Sequence, residues 1–343
     1  MKENQDLFSF EISKEDMYRI DTMPQTGWSG EHPFYFAPME GITGYIYRNA
    51  HHRYFPGVDK YFSPFIQPNQ NECFHSREIQ DVMPQHNEQI PLVPQILTNR
   101  ADLFIATAKK LEQMGYKEIN LNLGCPSKTV VSKMRGSGFL KEPLLLQKFL
   151  EEIFSELTVS ISVKTRIGMA DPEEFYDLIE IYNRFPISEL IIHPRLQTDY
   201  YKNTPNLSVF SDACRLSKNP LCYNGDLFTA HHYKQFCQKF DAIDRVMIGR
   251  GLLVNPAMTC EIQSGMVLTR DTLRAFHDEI YEGYRTVMSG DRNVLFKMKE
   301  LWFYLIHLFS SPEKAAKQIK KAEKLSAYKK IIDHLFSESD LIR

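Results

Sequence analysis

"PFYFAPMEGITG", residues 33–44, opens as a short aromatic strand and turns at Pro38. The turn lacks the G-x-G-x-x-G run with which an open, doubly wound sheet announces its nucleotide site. That omission decides the fold, because the chain goes on repeating the same unit. Strand-like runs recur at 58–65 ("VDKYFSPF"), 91–97 ("PLVPQIL"), 118–124 ("EINLNLG"), 159–166 ("VSISVKTR"), 189–195 ("ELIIHPR"), 220–226 ("PLCYNGD") and 244–251 ("DRVMIGRG"). Most are apolar on both faces, as strands buried between helices are. The segments between them read as helices. "NRADLFIATAKKLEQMG" starts on an Asn cap and stops at Gly115, and "DPEEFYDLIEIYNRF" offers Asp171 as cap with Pro172 at the first helical position. With the opening run these make eight β/α units, which predicts a (β/α)₈ TIM barrel of the α/β class.

Beyond residue 262 the strand signals cease. "TLRAFHDEIYEGYRTVM", "NVLFKMKELWFYLIHLF" and "PEKAAKQIKKAEKLSAYKKIIDHLF" follow with helical spacing of apolar residues. The predicted organisation is therefore an extension over 1–30, a barrel over 31–261 and an all-helical domain over 262–343. In the last segment Lys314, Lys317, Lys320, Lys321, Lys324, Lys329 and Lys330 face only Glu313 and Glu323, the strongest local charge excess in the chain.

The 343 residues are 43% hydrophobic and 24% charged, with a formal net charge of −2, so the whole chain is no polycation and any nucleic-acid contact must be local. Cys73, Cys125, Cys214, Cys222, Cys237 and Cys260 contain no C-x-x-C pair, which signals neither a metal site nor a disulfide framework and fits a reducing cytoplasm. No signal-peptide core and no membrane-length apolar run is present.

A barrel of this kind builds its active site where the strands end. The candidate residues there are Pro38, Met39, Glu40, Gln95, Asn122, Cys125, Lys164, Arg166, His193, Arg195, Asn224, Gly225, Asp226, Gly249 and Arg250. "YNGD" and "IGRG" follow the last two strands, the usual phosphate site of a barrel, where glycine admits backbone N–H groups to an anion and Arg250 adds charge. Lys164 sits in the apolar strand "ISVKTR" and needs an anion to face it. A flavin offers one twice, in its phosphate and at N1 and O2 of its reduced ring; Gln95 would bond the ring edge or else satisfy local backbone. Cys214, Cys222, Cys237 and Cys260 lie in apolar stretches and read as inert, whereas Cys125 follows its strand in a Gly/Pro turn.

From about Phe36 onward the chain resembles the tRNA-dihydrouridine synthases. The resemblance rests on "APMEGITG", "PQIL", "LNLGCPSKTVVSKMRGSGFL", "VKTR", "HPR", "NGD" and "MIGRG", in the family's order and spacing, with "MKELWFYL" matching its helical domain. It implies bound FMN reduced by NADPH or NADH, hydride transfer from flavin N5 to C6 of a tRNA uracil, and protonation of C5 by Cys125. It also implies that Pro38, Met39, Glu40, Gln95, Lys164, His193, Asn224, Gly225, Asp226, Gly249 and Arg250 hold the cofactor. Asn122, Arg166 and Arg195 would contact the substrate in the site, while Lys317, Lys320, Lys321 and Lys324 meet its phosphates. A monomer without metal is expected. Two departures concern loop shape: Pro194 between His193 and Arg195, and Met134 and Arg135 where the family often has glycine. Two rival readings stay open at this point: a flavin barrel acting on a free pyrimidine or enone, and an RNA-binding homologue without catalysis.

Overall fold

The chain, described here as a computed structural model over residues 32–71 and 73–342, forms nine parallel strands. The extension expected over 1–30 lies outside the described residues. The strands are β1 (Phe34–Phe36), β2 (Lys60–Phe62), β3 (Leu92–Val93), β4 (Gln95–Ile96), β5 (Glu118–Leu123), β6 (Ser160–Arg166), β7 (Leu190–His193), β8 (Leu221–Tyr223) and β9 (Val246–Ile248). All eight predicted runs carry one, and "PLVPQIL" carries two because Pro94 interrupts it. Proline cannot donate to a sheet. The chain therefore pairs on one side before it and on the other after it: β3 with β2, and β4 with β5. The Pro94 carbonyl still accepts the Asn120 N–H at 2.8 Å. The sheet order β3-β2-β1-β9-β8-β7-β6-β5-β4 thus has its two ends joined at Pro94, which closes the barrel.

Alternate residues of a strand face the same side. Read from amino to carboxyl end, the inward series run Lys60 and Phe62; Glu118, Asn120 and Asn122; Ser162, Lys164 and Arg166; Glu189, Ile191 and His193; Arg245, Met247 and Gly249. Three layers result. At the bottom, Lys60 Nζ meets Glu118 (2.8 Å) and Glu189 (3.1 Å), while Arg245 (2.9 Å) and the Tyr35 hydroxyl (2.6 Å) donate to the other oxygen of Glu189. Above this lies an apolar layer of Tyr35, Ala37, Phe62, Val93, Ile191, Cys222 and Met247. The polar residues occupy the top.

The helix Ala101–Gln113 ends two residues before Gly115, with Met114 as its cap, and the φ of +101° at Gly115 suits glycine, the stop the sequence predicts. Its cap differs: Arg100 holds that place, and the Asn99 amide donates instead to the Lys133 carbonyl at 3.2 Å. The next predicted start also moves. The Glu174 carboxylate accepts the N–H groups of Met169 (2.6 Å), Ala170 (3.1 Å) and Asp171 (3.0 Å), which winds the chain into a loop and delays the helix to Glu174–Tyr182.

After β9 come the short helix Arg250–Val254 and then helices Met258–Ser264, Arg270–Val287, Asp291–Leu305, Glu313–Lys321 and Leu325–Glu338. The lysine-rich run, read as one helix, breaks at Ala322, whose ψ of 128° is extended. The break lets Ile319, Ala322 and Leu325 all reach the core. These helices share their core with the barrel: Phe276 packs edge-on against Tyr47 (5.6 Å) and Phe55 (5.1 Å) of the first barrel helix and its end. Among the described residues, no helix is long and apolar enough to cross a membrane, and no cluster of His, Cys, Asp and Glu could hold a metal ion.

Candidate active site

The carboxyl ends of the strands surround a cavity of about 430 Å³, within the range of ligand sites. Pro38, Met39, Glu40, Gln95, Asn122, Cys125, Lys164, Arg166, His193, Asn224, Gly225, Asp226, Gly249 and Arg250 all line it. Cys125 and Lys164 therefore share one hollow.

A relay of amides fixes the cysteine turn. Asn120 donates to Ser162 Oγ (2.9 Å), Gln95 donates to Asn120 Oδ1 (2.7 Å), and Asn122 donates to Gln95 Oε1 (2.7 Å). Asn122 Oδ1 then accepts the backbone N–H groups of Gly124 (3.0 Å) and Cys125 (2.9 Å). The strand end and the turn are thus one hydrogen-bonded unit. Ser137 closes it from the far side, donating its N–H (3.1 Å) and hydroxyl (2.8 Å) to the Cys125 carbonyl. Gly136, at φ +54°, allows this approach: a β-carbon there would stand 2.8 Å from the Cys125 carbonyl oxygen. Burial pushes the Cys125 thiol above its ordinary range, although Arg166 and Lys164 pull the other way, so it stays protonated at neutral pH.

Lys164 is aligned with Asn122 on one side and Ile191 on the other. Burial, assisted by repulsion from Arg166, pulls its ammonium down to about 8, leaving it charged at neutral pH and neutral as the medium grows more alkaline. Among the described residues it makes no hydrogen bond or ion pair, so its charge is directed at the cavity.

His193 is buried, with Nδ1 at 2.6 Å from the Asn224 carbonyl and Nε2 at 3.4 Å from Arg195 Nη1. A carbonyl and a guanidinium on its two nitrogens select the neutral ring with the proton on Nδ1. Burial, with Arg166, Lys164 and Arg195 nearby, holds its protonation well below the usual range.

Two arginines read as substrate contacts have other partners. Arg195 is 2% exposed, is absent from the cavity wall, and forms a two-pronged pair with Asp226. It orders the "NGD" turn, a correction that follows from an acid 31 residues downstream in sequence but adjacent in space. Arg166 does line the cavity, yet its guanidinium is spent on the carbonyls of Gly124 (2.9 Å), Leu196 (2.8 Å) and Tyr200 (2.8 Å). Asp226 also accepts from Arg250 at 2.6 Å. Lys133, Lys164, Arg166 and Arg250 thus share the cavity wall with two acids, Glu40 and Asp226, and since Asp226 is held by Arg195 and Arg250 the positive charge left over suits an anion. Lys317, Lys320, Lys321 and Lys324 are exposed on the helical region and do not reach the cavity.

Several lining residues carry no signal in the sequence: Phe65, Gln67, Lys133, Tyr201 and Tyr304. Tyr201 lies under the guanidinium of Arg250, 4.8 Å away. Tyr304 belongs to the helix Asp291–Leu305, so the helical region supplies one wall of the site. The same helix grips the first turn, where Lys297 Nζ donates to the Gly41 carbonyl.

The family described as dihydrouridine synthase matches residues 35–335. The chain is 25% identical over 230 residues to a probable tRNA-dihydrouridine synthase 1 of Synechocystis sp., covering 66% of this chain and 63% of that protein. It is 28% identical over 223 residues to tRNA-dihydrouridine synthase B of Pasteurella multocida (65% and 66% covered). It is 27% identical over 240 residues to the tRNA-dihydrouridine(16) synthase of Aquipseudomonas alcaligenes (66% and 73% covered). The chain thus spans about two thirds of the length of the curated relatives it matches. Among solved structures, TcOYE with pHBA has 8% identity and a TM-score of 0.54, covering 75% of this chain and 95% of that one. A 2-naphthoyl-CoA reductase complex has 10% identity and a TM-score of 0.53, covering 68% and 50%. At those identities the likeness concerns the barrel alone.

Proposed function

The chain belongs to the dihydrouridine synthase family, and from that premise we propose that it reduces the C5=C6 bond of a uridine in tRNA to 5,6-dihydrouridine, drawing two electrons from NADPH or NADH through bound FMN. The single observation that carries the reading is the shared cavity: a protonated thiol and an unpaired ammonium face one hollow in a ring of cations.

The residues present fit the cofactor. Lys164 points an uncompensated charge into the site, Gly225 and Gly249 line it at the last two strand ends, and Arg250 adds a cation beside them. Pro38, Met39, Glu40, Gln95, His193, Asn224 and Asp226 form the rest of the proposed holder, with Arg195 acting through Asp226. When bound and reduced, the flavin supplies the hydride that C6 accepts. This chain supplies the remainder. Cys125 would give its proton to C5, so that the π bond is replaced by two C–H bonds while the C5–C6 single bond remains, and the thiolate is reprotonated from solvent. Asn122 orients the thiol by holding its backbone, and Arg166 holds the loop that carries Tyr201 against the opening. Lys164, charged below about 8, favours negative charge at the ring edge.

The uridine must leave its stack to reach the cavity, which costs a few kcal/mol. We assign the barrel, 31–261, to catalysis and the helical region, 262–343, to RNA docking, with Tyr304 as the point where the second enters the first. Lys314, Lys317, Lys320, Lys321, Lys324, Lys329 and Lys330 are exposed, and none forms an ion pair among the described residues. Changing Lys317, Lys320, Lys321 and Lys324 together to alanine is expected to weaken tRNA binding at least tenfold and to flatten its salt dependence, with an unchanged flavin spectrum. Retained affinity would remove this surface from the reading. The function itself is tested by incubating the purified protein with FMN, NADPH and unmodified tRNA and measuring dihydrouridine by mass spectrometry. Reduction of free uracil with untouched tRNA would favour a small-molecule reductase instead.

A further inference from the structure

Met134 has a φ of +52°, in the left-handed region that a β-carbon disfavours. The turn that imposes it is hydrogen-bonded: Lys133 N–H to Val130 O (3.1 Å), Met134 N–H to Val131 O (2.9 Å) and Arg135 N–H to Val130 O (3.2 Å). This reversal returns the chain to Cys125 at Gly136. Glycine would make the same turn without strain. The methionine gains little from packing either, since it is 37% exposed. An exposed apolar side chain alone is ordinary; one held in a strained conformation calls for a use outside the fold.

Its surroundings indicate that use. Lys133, the preceding residue, lines the active-site cavity, whereas Met134 does not and is exposed next to it in sequence. On either side of it Lys133 is exposed and Arg135 half-buried, and neither forms an ion pair among the described residues. The rim is therefore an apolar tip in a cationic setting. We propose that Met134 is a wedge that enters the RNA base stack where the uridine has left it, while Lys133 and Arg135 receive the flanking phosphates. Apolar side chains, methionine and leucine among them, serve as such wedges in nucleic acids, and filling the gap disfavours the nucleotide's return. This inference rests on the reading of the chain as an enzyme of folded tRNA.

The test compares Met134→Gly with Met134→Leu. The glycine variant is expected to keep an unfolding midpoint at or above that of the wild type. It should bind unmodified tRNA within about threefold of the wild type and have its flavin reduced by NADPH at the same rate, yet lose at least tenfold in kcat for dihydrouridine formation. The leucine variant should retain most of that kcat. Glycine turnover within threefold of the wild type would overturn the wedge while leaving the proposed function intact, and so would a loss traceable wholly to weaker tRNA binding. A wild-type protein that makes no dihydrouridine would overturn both.

Discussion

Replacing Cys125 with alanine is expected to lower dihydrouridine formation by about 10²–10⁴-fold, the range for a lost general acid, while the protein still folds and takes up flavin. The alanine removes a sulfur atom from the cavity wall but none of the hydrogen bonds that shape the turn, since these run through the backbone of residues 124 and 125 and the side chains of Asn122 and Ser137. Binding and chemistry should therefore separate. The pH dependence has a definite sign. Burial raises the thiol's pKa, so the acid form persists through neutrality. Lys164 loses its charge first, near 8. Wild-type turnover should therefore hold steady from about pH 6 to 7 and decline above 8. The residual rate of the alanine variant should lack any decline due to the thiol. A variant turning over within threefold of the wild type, in single-turnover measurements on prereduced enzyme, would transfer the proton to another donor.

The second large effect concerns stability. Asp226→Ala leaves Arg195, 2% exposed, and Arg250, 10% exposed, facing each other without their shared acid. Removing one partner from a buried ion pair costs about 3–5 kcal/mol. Because Asp226 is itself 26% exposed, the lower figure, about 3 kcal/mol, is appropriate. For a chain of 343 residues that corresponds to a fall of about 4 °C in the unfolding midpoint. Asp226→Asn keeps the acceptor oxygen and should lose less. Calorimetry decides the matter: an alanine variant melting within 1 °C of the wild type, on the order of a negligible energy change, would mean that the guanidiniums find solvent unaided.

The barrel was legible because strand and strand end carry different chemistry on the same inward positions. In "ISVKTR" the alternation of Ser162, Lys164 and Arg166 says both that a strand is present and that its carboxyl end is polar. The place of Cys125 at the cavity was legible because glycine and proline flank it, and the Cys125 N–H donates to Asn122, three residues before it. What escaped reading depends on distance along the chain. Arg195 resembles a substrate residue until Asp226 comes alongside it. Tyr304 sits in a helix whose apolar pattern looks like core, and only the docking of Asp291–Leu305 on the first turn brings it to the cavity. The helix starts failed for a local reason: the Asn99 amide bonds the Lys133 carbonyl instead of capping, and the Glu174 carboxylate takes the N–H groups of residues 169–171, so the helix starts three residues after the expected cap Asp171.

The charged floor of the barrel has a kinetic meaning. Lys60, Glu118, Glu189 and Arg245 stopper that end, and the layer of Tyr35, Phe62 and Met247 above them leaves no passage through the middle. Among the described residues the bottom of the barrel offers no entrance, so the cavity is reached from the strands' carboxyl ends. On the proposed function a nicotinamide and a nucleobase would both use that opening, so an excess of either is expected to delay the other.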